Sequence, residues 1–75
     1  MVYGKVPPQA RELEEAVLGA IMLEKGAFDA ATDANLKAEC FYVEGHQRIF
    51  KAMQGLAQKS LPIDILTVVE EMRMR

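Results

Sequence analysis

The stretch from Leu13 to Leu23 constrains the fold of this chain more than any other. Five apolar side chains there follow the i, i+3, i+4, i+7, i+8 spacing of a helix with one apolar face: Leu13, Ala16, Val17, Ala20 and Ile21. From Val17 to Leu23 no residue is polar, and a helix that is apolar all round is usually buried on several sides. The sequence therefore predicts a central helix with neighbours on at least two flanks. A buried strand over residues 17–23 is the weaker alternative, because the run continues the helical phase and contains only two β-branched residues.

The rest of the chain predicts an all-α fold, a compact bundle of four to five short helices. We expect an extended lead-in over residues 1–8 and a helical region over 9–75, because Pro7-Pro8 favours extended backbone. Asp64 is the predicted N-cap of the last helix, and Gly26 is the predicted stop of the first. Gly19 is predicted either to allow another helix to approach closely or to have no specific role. The predicted segments are helices over 9–25, 27–34, 43–59 and from 65 onward, with a short turn within 37–40. The predicted core comprises Leu13, Val17, Ala20, Ile21, Phe28, Phe41, His46, Ile49, Phe50, Met53, Val68 and Val69.

Length and composition limit the class of protein. Seventy-five residues form one domain at most. The net charge of −2, with nine basic residues scattered among eleven acidic ones, does not favour binding to a nucleic-acid backbone. The single cysteine excludes an internal disulfide and suits a reducing compartment. No stretch approaches the roughly 20 apolar residues of a membrane span, and the N-terminus has no signal-peptide layout. We therefore expect a cytoplasmic protein with no membrane partner.

The sequence contains none of the common patterns of a catalytic site. There is no Gly-x-x-x-x-Gly-Lys-Ser/Thr or Gly-x-Gly-x-x-Gly loop and no Cys/His cluster with metal-ligand spacing. Cys40 and His46 form a conceivable nucleophile–base pair, but a small half-buried cysteine is the simpler interpretation. His46 is predicted to bond a backbone carbonyl at the edge of the core, with a pH switch or metal ligand as alternatives. The pairs Glu14-Glu15 and Glu70-Glu71 are interpreted as solvated faces. We predict no catalytic, cofactor or metal site.

Several local motifs, taken together, resemble one known family. They are, in chain order, Val6-Pro7-Pro8, the run Glu12-Leu13-Glu14-Glu15-Ala16-Val17-Leu18-Gly19-Ala20, Phe41-Tyr42, His46-Gln47-Arg48-Ile49-Phe50, and Pro62-Ile63-Asp64 with Thr67. In this order and spacing the chain resembles the N-terminal domain of replicative DNA helicases of the DnaB family. The resemblance spans almost the whole chain. It implies a truncated fragment, because that domain continues into a helical hairpin, and a motor domain that uses ATP and Mg²⁺ follows it.

The resemblance also implies a function. The domain would be a non-catalytic part of the collar of a ring helicase, with other helicase subunits, primase and in some cases a helicase loader as its partners. DNA would be contacted only through the full-length protein. Two alternatives are the helicase-binding domain of a primase, which has a related helical fold, and a small helical DNA-binding domain that would use Arg48 and Lys51.

Overall fold

The structure, a computed structural model, describes residues 8–74 and is built of helices alone over that range. Four α-helices and one 3₁₀ turn follow in chain order: α1 (Pro8–Leu23), α2 (Ala27–Asp33), the 3₁₀ turn (Ala38–Cys40), α3 (Glu44–Gln58) and α4 (Ile65–Arg73). The prediction of an all-α bundle is confirmed. The predicted lead-in lies outside the described residues except for Pro8, which is the first residue of α1. Proline is tolerated there because the first-turn N–H groups have no partner within the helix.

The centre of the bundle is α3, and the prediction that α1 would be central was wrong. Phe50 and Met53 of α3 are the largest side chains that are fully buried. The Phe50 ring lies 5.4 Å from the Phe41 ring and 5.5 Å from the Phe28 ring, centroid to centroid, within the range of favourable aromatic pairs. α1, the 3₁₀ turn and α4 all pack against α3. α1 does have neighbours on two flanks, α2 and α3, as predicted, but its outer side is exposed and Leu23 at its end is 87% exposed.

The structure divides the predicted core residues into three groups. Six are buried: Ile21, Phe41, His46, Phe50, Met53 and Val68. Three are partly buried and packed against the core: Val17, Phe28 and Ile49. The remaining three are exposed, and their assignment to the core was wrong: Leu13, Ala20 and Val69.

The errors in α1 and α4 have a common geometric cause. α1 buries Glu14, Leu18 and Ile21, so its inner face is turned from the predicted one by about 100°, which is one helical residue. α4 buries Val68 and Glu71 and is turned in a similar way. In both helices a glutamate faces the core, whereas the apolar pattern predicts that an adjacent hydrophobic residue does so.

The connections agree with the local turn chemistry. Gly26 takes a left-handed conformation with φ 87° between α1 and α2, as its predicted role after helix 1 requires. Asp64 caps α4: its carboxylate accepts from the Thr67 N–H at 2.9 Å, and the Thr67 hydroxyl accepts from the Asp64 N–H at 2.9 Å. Gly19 is not a point of close approach, because a Cβ placed on it has no heavy atom of another group within 4 Å. That prediction was wrong.

Candidate interaction surface

Glu14 is the hub of a polar cluster at the junction of α1 and α3. Its carboxylate accepts hydrogen bonds from the backbone N–H groups of Tyr42 at 2.6 Å and Val43 at 3.2 Å. Its Oε1 atom also lies 2.8 Å from Nδ1 of His46. Val43 is the N-cap of α3 and offers no side-chain cap. The carboxylate of Glu14, which belongs to α1, therefore caps the positively polarised N-terminus of α3.

The cluster favours the ionised form of Glu14. Burial by itself raises the pKa of this carboxyl, because low polarity disfavours charge. The hydrogen bonds from Tyr42, His46 and Val43 and the charge of His46 oppose that effect, and together they hold the pKa below its usual value of 4.5. The interpretation of Glu14 as part of a solvated face was therefore wrong. A signal was present, because Glu14, Leu18 and Ile21 share i, i+4, i+7 spacing.

His46 is buried, but it does not bond the predicted backbone carbonyl. Since a carboxylate only accepts hydrogen bonds, Nδ1 of His46 carries the proton shared with Glu14. Its Nε2 atom lies 3.9 Å from Oε2 of Glu15. The next residue makes such a bond instead: Nε2 of Gln47 donates to the backbone carbonyl of Phe41 at 2.6 Å, which ties the segment before α3 to that helix.

A second buried carboxylate joins α4 to the end of α3. Glu71 is 6% exposed, and its Oε1 atom accepts from Nζ of Lys59 at 2.8 Å. The interpretation of Glu71 as solvated was wrong. This ion pair places the Val68–Glu71 side of α4 against α3. The neighbouring side of α4, which carries most of its apolar residues, is therefore left facing outward.

The outward side of α4 is an apolar stripe, which we call the α4 stripe. It consists of Ile65, Leu66, Val69 and Met72, which are 64%, 78%, 46% and 36% exposed. An exposed cluster of large apolar side chains on one helix is typical of a surface that another protein covers. The stripe is therefore the principal candidate interaction surface among the described residues.

A groove with basic walls adjoins the α4 stripe at Met72. It has a volume of about 710 Å³ and lies between the start of α1, the first half of α3 and the end of α4. Its positive charges come from two helices that are distant in sequence: Arg11 of α1 and Arg48 and Lys51 of α3. Arg48 and Lys51 lie on one predicted helix, but no local pattern indicates that Arg11 joins them, since this depends on how α1 packs against α3.

Other chemical features of the described residues are few. Cys40 is exposed rather than half-buried, and no hydrogen bond joins it to His46 within residues 8–74. No group of three or more His, Cys, Asp or Glu side chains is placed to hold a metal ion in the described part of the chain. None of the helices within that part has the length and hydrophobicity needed to cross a membrane.

Comparison with known proteins connects this small helical bundle with replication proteins. The chain is 50% identical over 70 residues to "Replicative DNA helicase DnaB" of Rhodothermus marinus, an alignment that covers 93% of this chain and 7% of the relative. It is 44% identical over 70 residues to the protein of that name from Treponema pallidum, covering 93% and 16%. For the Geobacillus stearothermophilus protein the identity is 43% over 68 residues, covering 91% and 15%. No solved structure matches the chain significantly.

The match to a family model covers nearly the whole sequence. The model is described as "DnaB-like helicase N terminal domain", and it matches residues 6–75. The chain spans between 7% and 16% of the length of these three relatives, so what the whole relatives do is not automatically a property of these 75 residues. On the extent of the family match and the identities of the relatives, the chain belongs to the family of DnaB-like helicase N-terminal domains.

Proposed function

We propose that this chain is a non-catalytic protein-interaction domain of a replicative ring helicase, which supports assembly of the hexamer collar and docks primase or a helicase loader during DNA replication. The names of the relatives support the connection with replication. The single structural observation in favour of an interaction role is the α4 stripe, an exposed apolar surface on a helix whose other side is fixed to α3.

The proposal assigns no chemistry to this domain. ATP and Mg²⁺ belong to a motor domain elsewhere in the helicase, and contact with DNA also occurs there. The buried polar groups support this division, because Glu14, His46 and Glu71 are bonded to other groups of the bundle. A replicative helicase works on chromosomal DNA, so we place the domain in the cytoplasm of a bacterial cell.

The two alternative functions are less well supported. A primase domain that binds the helicase has a related helical fold, but the family model that matches describes the helicase side of that pair. A DNA-binding domain gains some support from the basic groove. However, three exposed cations are fewer than a stable phosphate-backbone contact uses, and the net charge of the chain is −2. A gel shift at low salt should show no complex with duplex DNA.

The α4 stripe can be tested with one pair of matched variants. We would titrate the chain with the helicase-binding domain of the cognate primase by isothermal calorimetry, and compare Leu66→Glu with Leu23→Glu. Both leucines are strongly exposed, at 78% and 87%, but only Leu66 lies on the stripe. Placing a charge within a buried contact costs about 2 kcal/mol or more at a central position, so Leu66→Glu should weaken binding at least about tenfold. Leu23→Glu should bind like the unmodified chain.

Three results would contradict the proposal. Equal affinities for the two variants would show that the stripe does not touch primase. The absence of binding by the unmodified chain to primase, to a loader and to other helicase subunits would remove the interaction function itself. Turnover of ATP by the purified chain would contradict the assignment as non-catalytic.

A further inference from the structure

The basic groove combines positive charge with an apolar lining. Its cations are Arg11, Arg48 and Lys51, and Val43, Ile49 and Met72 are the apolar residues between them. Its volume of about 710 Å³ falls in the range of sites that enclose several ligand groups. His46, which Glu14 holds by its Nδ1 atom, also lines the groove. One wall is therefore a side chain fixed by a buried hydrogen bond.

The cations of the groove are available to a ligand. Within residues 8–74 neither Arg11 nor Lys51 takes part in an ion pair. Arg48 contacts Glu44 at 3.4 Å, but both side chains are more than half exposed, and such exposed pairs contribute little. Three acids contact residues that line the groove. Glu14 is buried and its charge is met by three hydrogen bonds, whereas Glu15 and Glu44 are exposed. The three exposed cations therefore outnumber the two exposed acids.

We propose that this groove binds an amphipathic helix of another protein that presents carboxylates to Arg11, Arg48 and Lys51 and apolar side chains to Val43, Ile49 and Met72. This inference rests on the proposed function as a protein-interaction domain and names the chemistry of the partner. Charge complementarity selects an acidic segment, because it steers association and excludes basic competitors. Continuity with the α4 stripe at Met72 provides the apolar track on which a helix lies.

The lining of the groove distinguishes an acidic helix from a nucleic acid. Single-stranded nucleic acids are held by aromatic side chains on which bases stack, together with a positive track along the backbone. Among the described residues that line the groove none is Phe, Tyr or Trp. The apolar residues there are aliphatic, and these pack well against leucine-like side chains of a helix.

The test uses the ¹⁵N-labelled 75-residue chain and three probes. These are a helical peptide of Glu and Leu in amphipathic order, the same peptide with Lys in place of Glu, and a single-stranded oligodeoxythymidine. The Glu peptide should shift the amide resonances of residues in and beside the groove, including Arg11, Gly45, Ile49 and Met72. The Lys peptide and the oligonucleotide should leave them unchanged.

Two double variants then separate the groove from general electrostatics. Arg11→Gln with Lys51→Gln removes two groove cations, and Lys25→Gln with Lys37→Gln removes two exposed lysines that do not line the groove. Both lower the net charge equally. The groove variant should bind the Glu peptide about fivefold more weakly, because two of the three cations that face the carboxylates are lost. The control variant should retain the affinity of the unmodified chain.

The outcomes separate the inference from the proposed function. Equal weakening by the two double variants, or resonance shifts only outside the groove, would overturn the inference. Tighter binding of the oligonucleotide at the same residues would also overturn it and identify a phosphate site. Any of these results, combined with retained binding of primase, would leave the proposed interaction function intact. Loss of primase binding in the unmodified chain would remove both the inference and the proposed function.

Discussion

Replacing Glu14 with alanine should remove a large share of the stability of this domain. The change leaves three donors without their anionic acceptor: the N–H groups of Tyr42 and Val43 and Nδ1 of His46. A hydrogen bond to a charged group contributes about 1.5–3 kcal/mol. Water replaces part of the two backbone bonds, since Tyr42 is exposed and Val43 is half-buried. We therefore expect a total loss of about 3 kcal/mol in the free energy of unfolding.

That loss is large compared with the stability of so short a chain. Proteins retain about 0.05–0.15 kcal/mol per residue, which is about 4–11 kcal/mol for 75 residues. For a domain of this size each kcal/mol shifts the melting temperature by about 4–8 °C, so Glu14→Ala should lower it by about 12–24 °C. Urea denaturation followed by circular dichroism at 222 nm gives the free energy directly. Glu15→Ala is the matched control, because its side chain is 58% exposed, and it should cost less than about 0.5 kcal/mol.

A double-mutant cycle with His46→Ala isolates the bond between the two side chains. His46→Ala leaves Glu14 with both backbone donors, so it should cost about 1–2 kcal/mol, less than Glu14→Ala. The double variant should cost less than the sum of the single ones, with a coupling energy of about 1–2 kcal/mol. If Glu14→Ala were no more destabilising than Glu15→Ala, or if the two effects were additive, the cluster would not be holding α1 to α3.

Three further predictions follow from the same structure. Because the pKa of Glu14 is below its usual value of 4.5, the ionised carboxylate stabilises the fold fully above that pH, and this stabilisation is lost as the pH falls below it. Glu14→Gln should therefore flatten the decline in the denaturation midpoint between about pH 5 and pH 2. Gly19→Ala should raise the free energy of unfolding by about 1 kcal/mol, since a methyl group there meets no neighbour. A lower melting temperature would show that the space beside Gly19 is not open. Phe50→Ala should cost about 3–5 kcal/mol, because the ring is fully buried between Phe28 and Phe41, and retention of a cooperative thermal transition at the unmodified temperature would contradict the central position of α3.

The sequence was sufficient for the parts of the fold that local chemistry determines. Asp64 caps α4 as predicted, and Gly26 has the left-handed conformation that its position requires. The apolar stripe of α3 also lies where periodicity places it, with Phe50 and Met53 at its centre. In these cases each residue type has one dominant physical role, so a single sequence is enough to assign it.

The sequence was not sufficient for the orientation of α1 and α4, and the reason is the same in both. A pattern based on hydrophobicity assigns glutamate to solvent, whereas Glu14 and Glu71 point inward to specific donors on other elements. Those donors are a backbone segment 28 residues away and a lysine 12 residues away. The interactions that turn each helix by about 100° from its predicted orientation therefore involve residues distant in sequence, which a local hydrophobicity pattern does not include.

The rotation of the two helices also explains why this domain has a surface suited to binding. Had α4 buried the face that its apolar residues indicate, Ile65, Val69 and Met72 would lie in the core and the outer face would be polar. Because the Lys59–Glu71 ion pair takes the inner position instead, those side chains are left outside as the α4 stripe. Burying the Glu71 carboxylate costs desolvation even though its partner Lys59 keeps a side chain that is 46% exposed, so the pair adds little net stability compared with an apolar contact. The main consequence of the pair is therefore the apolar face that it leaves outside, where another protein can cover it.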